Sequence, residues 1–153
     1  MTKKEEFVLR FREAGGEVVS SLDEALRGLE EASFCIQDRL KRRLGRRLKE
    51  LTESPPEEAE VSITRADAAA ADTGSVIFGF SEGNDHLLVS LPRVHVVLLQ
   101  PRRIYKTLLR ALARVEGDYI SVITGPSKTG DIELIHVAGV HGPERVVVVL
   151  EER

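Results

Sequence analysis

Apolar residues recur at helical spacing near the start of the chain. Phe7, Val8, Phe11 and Ala14 share one face, and Gly15-Gly16 follows, where a left-handed cap is easiest. A first helix is predicted over residues 4 to 14. Val18-Val19 reads as a short strand, after which Ser20 or Ser21 can cap a helix whose Leu22, Ala25, Leu26 and Leu29 form one stripe. Ala32 to Ile36 fits either a helix or a strand. Asp38 then offers an N-cap to a helix carrying Leu40, Leu44, Leu48 and Leu51 on one face, which Ser54-Pro55-Pro56 closes. Residues 1 to 57 therefore read as a mostly helical N-terminal segment that leads into a different kind of structure.

From Val61 the pattern changes to nearly continuous apolar runs: Val76 to Phe78, Val94 to Leu99, Tyr119 to Ile123 and Val146 to Leu150. Runs apolar on both faces suit buried parallel strands. Helical patterns lie between them, over Ala66 to Ala71, Pro101 to Val115 and Asp131 to Val137. Thr64 and Asp67 are spaced to start the first of these as a capping-box variant. Pro101 suits the first position of the second, whose apolar face is Ile104, Tyr105, Leu108, Leu109 and Leu112. Strands alternating with helices predict an α/β fold, a three-layer α/β/α sandwich with a mainly parallel sheet. One domain over residues 1–153 is expected, with the α/β core at 58–153.

Composition narrows the function classes. Twenty-two basic against 25 acidic residues give a net charge of −3, so no bulk field favours nucleic acid or an anionic membrane. Cys35 is the single cysteine, which excludes an internal disulfide and any iron–sulfur or cysteine-ligated zinc site built from this chain alone. No run approaches the length of a membrane span and no signal-type segment opens the chain, so a cytoplasmic protein is expected. Asn84, Gln37 and Gln100 are the only side-chain amides, a depletion compatible with a thermophilic source.

Three loops carry candidate chemistry, on the expectation that ligands bind where loops leave the carboxyl ends of strands. In Asp72-Thr73-Gly74-Ser75, Gly74 can take positive φ, leaving backbone N–H groups free beside two hydroxyls. Thr124 to Glu133 follows a strand and opens a helix. Gly125, Ser127, Lys128, Thr129 and Gly130 there can hold a phosphate or carboxylate, while Asp131 and Glu133 complement the helix dipole. Lysine and hydroxyl do not follow the second glycine, so this is not a nucleotide-triphosphate loop. In Gly139-Val140-His141-Gly142-Pro143, His141 is placed to titrate near neutral pH. No histidine pair has helical metal-ligand spacing, and no intrinsic metal is expected.

Two further features have plainer readings. Arg39, Lys41, Arg42, Arg43, Arg46, Arg47 and Lys49 crowd one helix, but no aromatic interleaves with them, and a solvated face opposite a leucine stripe explains them. Docking of an acidic partner is their alternative role. Cys35 reads as a small core residue.

Taken together and in this order, Ala66 to Ser75, Ser90 to Val96, Thr124 to Glu133 and Gly139 to Pro143 resemble the LUD (lactate-utilisation) domain family, specifically its LutC/YkgG-like small subunits. The resemblance covers residues 58 to 151 well and the first third loosely. It implies a fold like that of NagB, ribose-5-phosphate isomerase and the CoA transferases. It also implies an accessory or ligand-binding subunit in the oxidation of lactate to pyruvate, with iron–sulfur clusters on partner subunits and none on this chain. Asp72, Thr73, Gly74, Ser75, Thr124, Gly125, Ser127, Lys128, Thr129, Gly130, Asp131, Glu133 and Gly142 would then hold a small anion, with His141 orienting it or moving a proton. Gly130, Lys128 and Ser75 stand where alanine, arginine and threonine are common in the family. A stand-alone enzyme on a phosphorylated or CoA-linked metabolite and a non-catalytic assembly subunit are the alternatives, and a homo-oligomer stays open.

Overall fold

Helix α1 (Lys3–Glu13) opens on a reciprocal capping box, in which Thr2 accepts from the Glu5 N–H and Glu5 accepts from the Thr2 N–H, and it buries Phe7 and Phe11. The computed structural model describes residues 1–81, 85–126 and 142–151, apart from the Leu48 side chain. Gly15, at φ 96°, turns the chain from α1 into strand β1 (Glu17–Val19). Ser21 caps the short helix α2 (Leu22–Ala25). Strand β2 (Ser33–Ile36), helix α3 (Asp38–Leu44), a 3₁₀ stretch at Gly45–Glu50 and strand β3 (Thr52–Glu53) follow. The ambiguous segment at 32 to 36 is thus a strand.

The second part supplies β4 (Val61–Arg65), β5 (Ala68–Ala70), β6 (Ser75–Phe80), helix α4 (Asp85–Leu88) and β7 (Val94–Leu99). A 3₁₀ turn at Pro101–Arg103, β8 (Ile104–Tyr105), helix α5 (Leu108–Leu112), β9 (Tyr119–Ile123) and β10 (Arg145–Leu150) complete the described elements. Among the described residues the strands form two sheets. The larger has the order β1-β10-β7-β4-β2-β3, and every neighbouring pair in it is parallel. The smaller, β8-β5-β6-β9, is antiparallel at β5–β6 and β6–β9 and parallel at β5–β8.

Side-chain alternation along the parallel strands divides the core. Val61, Ile63, Val94, Val96, Val147 and Val149 face a cluster with Ala25, Leu40 and Leu44 of α2 and α3. Val97, Leu99, Val146 and Val148 face the opposite way, onto Phe7 and Phe11 of α1 and Phe78, Val76 and Ala69 of the small sheet. Helix α5 closes the outer side of that sheet, with Ala111 against Ala68, Ala70 and Ile77. The result is the expected α/β architecture, a mainly parallel central sheet with helices on either side, to which the small second sheet is added on one face.

Several local expectations change. The alanine run at 66 to 71 is strand β5, not a helix, because a pairing partner lies on each side of it and all three of its residues are fully buried. Thr64 and Asp67 accordingly cap nothing: Thr64 lies inside β4, and Asp67 joins β4 to β5. The long helix expected over 101 to 115 is broken into a 3₁₀ turn that does start at Pro101, strand β8 and the five residues of α5. Ile104 and Tyr105 pair with Ala69 and Ala70, and Leu109 is 79% exposed, so the supposed apolar face is divided between two elements. The basic helix stops at Leu44, where Gly45 at φ 50° ends the α-helical course; Leu40 and Leu44 are buried and Leu51 packs at the edge of their cluster. Residues 17 to 53 contribute β1, β2 and β3 to the parallel sheet, so position 57 is no architectural boundary. Of the four apolar runs, β7 and β10 are buried parallel strands, while β6 and β9 pair antiparallel. The helix expected at 131 to 137 falls outside the described residues.

Candidate functional site

Pairing of β6 with β9 brings the first two candidate loops together. Val76 sits opposite Ile123, so the residues just beyond them, Ser75 and Thr124, meet at the end of the ladder. Thr73 Oγ1 lies 2.8 Å from Ser75 Oγ, which lies 2.6 Å from Thr124 Oγ1. Ser75 is buried while Thr73 and Thr124 are exposed. Three hydroxyls joined by two hydrogen bonds leave one O–H proton over, so one end of this chain can donate to an oxygen arriving from solvent.

Backbone groups of the first loop are less available than expected. Gly74 takes positive φ, at 66°, but its N–H donates to Ala70 O at 3.0 Å. The Ala71 and Asp72 N–H groups donate to Tyr105 O and Lys106 O. Asp72 Oδ1 accepts from the Leu108 N–H at 2.9 Å and ties the loop to the start of α5. Gly74 also lies against helix α1, where a Cβ would come within 2.6 Å of Arg10 Cβ. Gly125, at φ 77°, approaches the end of the same helix, where a Cβ would stand 2.6 Å from Ala14 O.

Gly142 is half-buried and, with buried Pro143, leads into β10. There the backbone is fastened by Glu144 N–H to Arg93 O at 2.8 Å, and the Arg145 side chain forms two hydrogen bonds with Glu17 at the start of β1. Since Gly125 touches the end of α1 and α1 turns directly into β1, these described parts gather toward the amino ends of β1 and β10. Gly142 and Pro143 therefore enter the parallel sheet at the edge opposite the strands' carboxyl ends. His141, Ser127, Lys128, Thr129, Gly130, Asp131 and Glu133 lie outside the described residues.

Other polar residues hold the frame. Asp67 Oδ2 accepts from the Gly79 N–H at 2.8 Å, and Oδ1 pairs with Arg39 at 3.2 Å. Gln37, 4% exposed, accepts from the Arg65 N–H at 2.9 Å. His95 is fully buried, with Nε2 2.7 Å from Thr64 Oγ1 and its ring tilted against Phe78, and burial depresses its pKa from 6.5 to about 3. Cys35 is half-buried, and burial pushes its thiol up, which opposes thiolate formation. The basic segment is partly spent internally: Lys41 bridges Asp38 and Glu53, Arg43 pairs with Glu151 and Arg47 with Asp23. Apart from Lys41 and Asp38, three positions apart, sequence spacing alone did not expose these pairs, although Arg39, Arg43 and Arg47 recur at every fourth position. Among the described residues no group of three or more histidine, cysteine or acidic side chains is placed to hold a metal ion, and no helix is long and apolar enough to cross a membrane.

Known proteins share both sequence and fold with this chain. The Lactate utilization protein C of Bacillus pumilus (strain SAFR-032) is 30% identical over 103 residues, 61% of this chain and 43% of the relative. That of Halalkalibacterium halodurans is 34% identical over 107 residues, covering 63% and 46%. That of Deinococcus radiodurans is 30% identical over 112 residues, covering 65% and 53%. The chain thus spans about half the length of the relatives it matches. In fold it is similar to a crystal structure of a DUF162 family protein from Deinococcus radiodurans, with a TM-score of 0.67 and 17% identity over 99% of both chains. The LUD domain model matches residues 26–150, most of the sequence described above, and the chain belongs to the LUD domain family.

Proposed function

We propose that this chain is an accessory, ligand-binding subunit of a cytoplasmic system that oxidises lactate or a related hydroxy acid. Its relatives are Lactate utilization protein C of several bacteria, and that likeness supports the role. With a single cysteine the chain is poorly equipped to hold an iron–sulfur cluster, so the redox centres belong to partner subunits. The ligand is a small carboxylate or phosphate held between the loops at 72–75, 124–131 and 139–143. The observation that carries the site is the Thr73–Ser75–Thr124 hydroxyl chain with its spare proton, at the place where the first two loops meet. In this reading one end of that chain donates to the ligand, Ser127, Lys128 and Thr129 with the N–H groups near Gly130 and Asp131 surround its charge, and His141 orients it or moves a proton. Asp72 acts indirectly by fixing the first loop, and Gly125 by letting the second loop reach helix α1.

The test is lactate-dependent dye reduction in anaerobic extracts of the source organism, with the gene deleted and restored. Deletion is expected to abolish the activity. Restoration with Lys128→Ala or Ser75→Ala is expected to leave it about tenfold or more below wild type at equal protein level. Full activity in the deletion strain would end the assignment to lactate oxidation, and full activity with both variants would end the site assignment alone.

A further inference from the structure

The carboxyl edge of the parallel sheet holds a cleft of about 290 Å³. Its apolar wall is Leu44, Leu98 and Val149, all nearly buried. Ser20, at the end of β1, and the side chains of Arg43 and Arg47, 44% and 43% exposed, line it as well. In an open α/β sheet this edge is where small ligands are received. The volume suits a small molecule.

Charge at this edge is unbalanced. Arg43 pairs with Glu151, and Arg47 pairs with Asp23 at 2.5 and 3.0 Å. One strand over, Arg39 donates to Arg65 O at 2.8 Å and pairs with Asp67, and Arg103 donates to Asp67 O at 3.4 Å. The Arg65 Nε is buried without a partner among the described residues. Burial, followed by the charges of Arg39, Arg103 and Arg43, lowers the pKa of that guanidinium, as expected where positive groups crowd together. Among the described residues five arginines meet four carboxylates along this edge, Asp23, Asp67, Glu151 and Glu24, the last bonded to Ser20 at 3.0 Å, an excess of one positive charge in a chain whose net charge is −3. The partners differ in how firmly they are held. Glu151 is 15% exposed and keeps Arg43 in place, whereas Asp23 is 76% exposed, so Arg47 can change partner at little cost.

We propose that this cleft binds a small organic anion, a phosphate or carboxylate head on a short apolar body. Arg47 exchanges Asp23 for the head group, Arg43 adds the N–H donors that Glu151 leaves over, and Leu44, Leu98 and Val149 cover the body. The site shares no described residue with the loop site.

Titrating the full chain with n-butyl phosphate and with pentanoate in about 0.15 M salt tests this, read by calorimetry and by the arginine Nε–H signals in NMR spectra. At least one of the two is expected to bind about tenfold more tightly than inorganic phosphate and to move the Arg43 and Arg47 signals. Arg47→Gln is expected to weaken that binding about tenfold while keeping the wild-type melting temperature, because its present partner is exposed. Arg47→Lys recovers part of the loss. Failure of both probes to bind more tightly than inorganic phosphate, or equal affinity in Arg47→Gln and wild type, would overturn the proposal, and neither result would touch the loop site.

Discussion

Within β7, His95 has one polar partner, Thr64, and its Nδ1 and the neighbouring Ser62 Oγ are buried without hydrogen bonds among the described residues. A ring so placed is neutral in the fold, with a pKa of about 3, whereas in the unfolded chain it titrates near 6.5. Between those values the unfolded state binds the extra proton, so stability is fully present above pH 6.5 and is lost as pH falls toward 3. The full effect is about 1.4 kcal/mol per pH unit. Urea unfolding of wild type and His95→Leu from pH 7 to pH 4.5 measures it, the wild type losing stability more steeply on acidification by about that slope. Parallel profiles, or a His95 ring signal that titrates near pH 6 in the native protein, would contradict a neutral buried histidine. Gly74 is constrained in another way, by a φ of 66° and a backbone neighbour, Phe11 N, 2.7 Å from where a Cβ would stand. Gly74→Ala is therefore expected to cost about 2 kcal/mol or more in urea unfolding, adding close contact with α1 to the ordinary left-handed penalty. A loss of only a few tenths would mean that the loop does not pack on α1 as described.

Elements were legible where periodicity and caps agreed, as in α1 with its Gly15 turn and in the valine-rich strands β7 and β10. The alanines of β5 show why the rest was not. Alanine is the strongest helix former, and a run of it carries no alternation, so local preference pointed to a helix. The structure uses the small side chain instead: Ala69 faces α1 and the parallel sheet, Ala68 and Ala70 face α5, and neither side has room for more. Ala69→Leu separates the two readings. On a helix the change is nearly neutral, but in a strand packed on both faces it is expected to lower stability by about 1–3 kcal/mol in thermal or urea unfolding. Partners distant in sequence hid the carboxyl edge in the same manner. Arg43 and Glu151 are 108 positions apart and Arg47 and Asp23 are 24 apart, so the basic helix looked like a solvated face until folding supplied its counter-ions. The hydroxyl chain was half visible: Thr73, Ser75 and Thr124 stood out one by one, but the antiparallel register that joins them did not.

At the scale of the molecule, the first 57 residues are bound into the sheet more deeply than their helical pattern suggested. β1 lies against β10 over Glu17–Val19, and β2 lies against β4 over Phe34–Ile36, so the segment covers both flanks of the β10-β7-β4 centre. α1 brings Phe7 and Phe11 to one face, and α2 and α3 bring Ala25, Leu40 and Leu44 to the other. Removing the segment would expose two long apolar strand edges and both faces of the sheet, and each lost phenylalanine contact alone costs about 3–5 kcal/mol. That exceeds what a domain of this size has in reserve, roughly 5–15 kcal/mol in all. A fragment of residues 58–153 is therefore expected to show no cooperative unfolding transition by circular dichroism and to aggregate. Adding residues 1–57 as a separate chain should recover the transition only if the two pieces pair strand to strand. A fragment that melts cooperatively on its own would mean that the α/β core closes without β1, β2 and β3, and that the N-terminal third is an appendage. The carboxyl-edge cleft would then be lost with it, since Ser20, Leu44, Arg43 and Arg47 all belong to that third, while the Thr73–Ser75–Thr124 chain would survive.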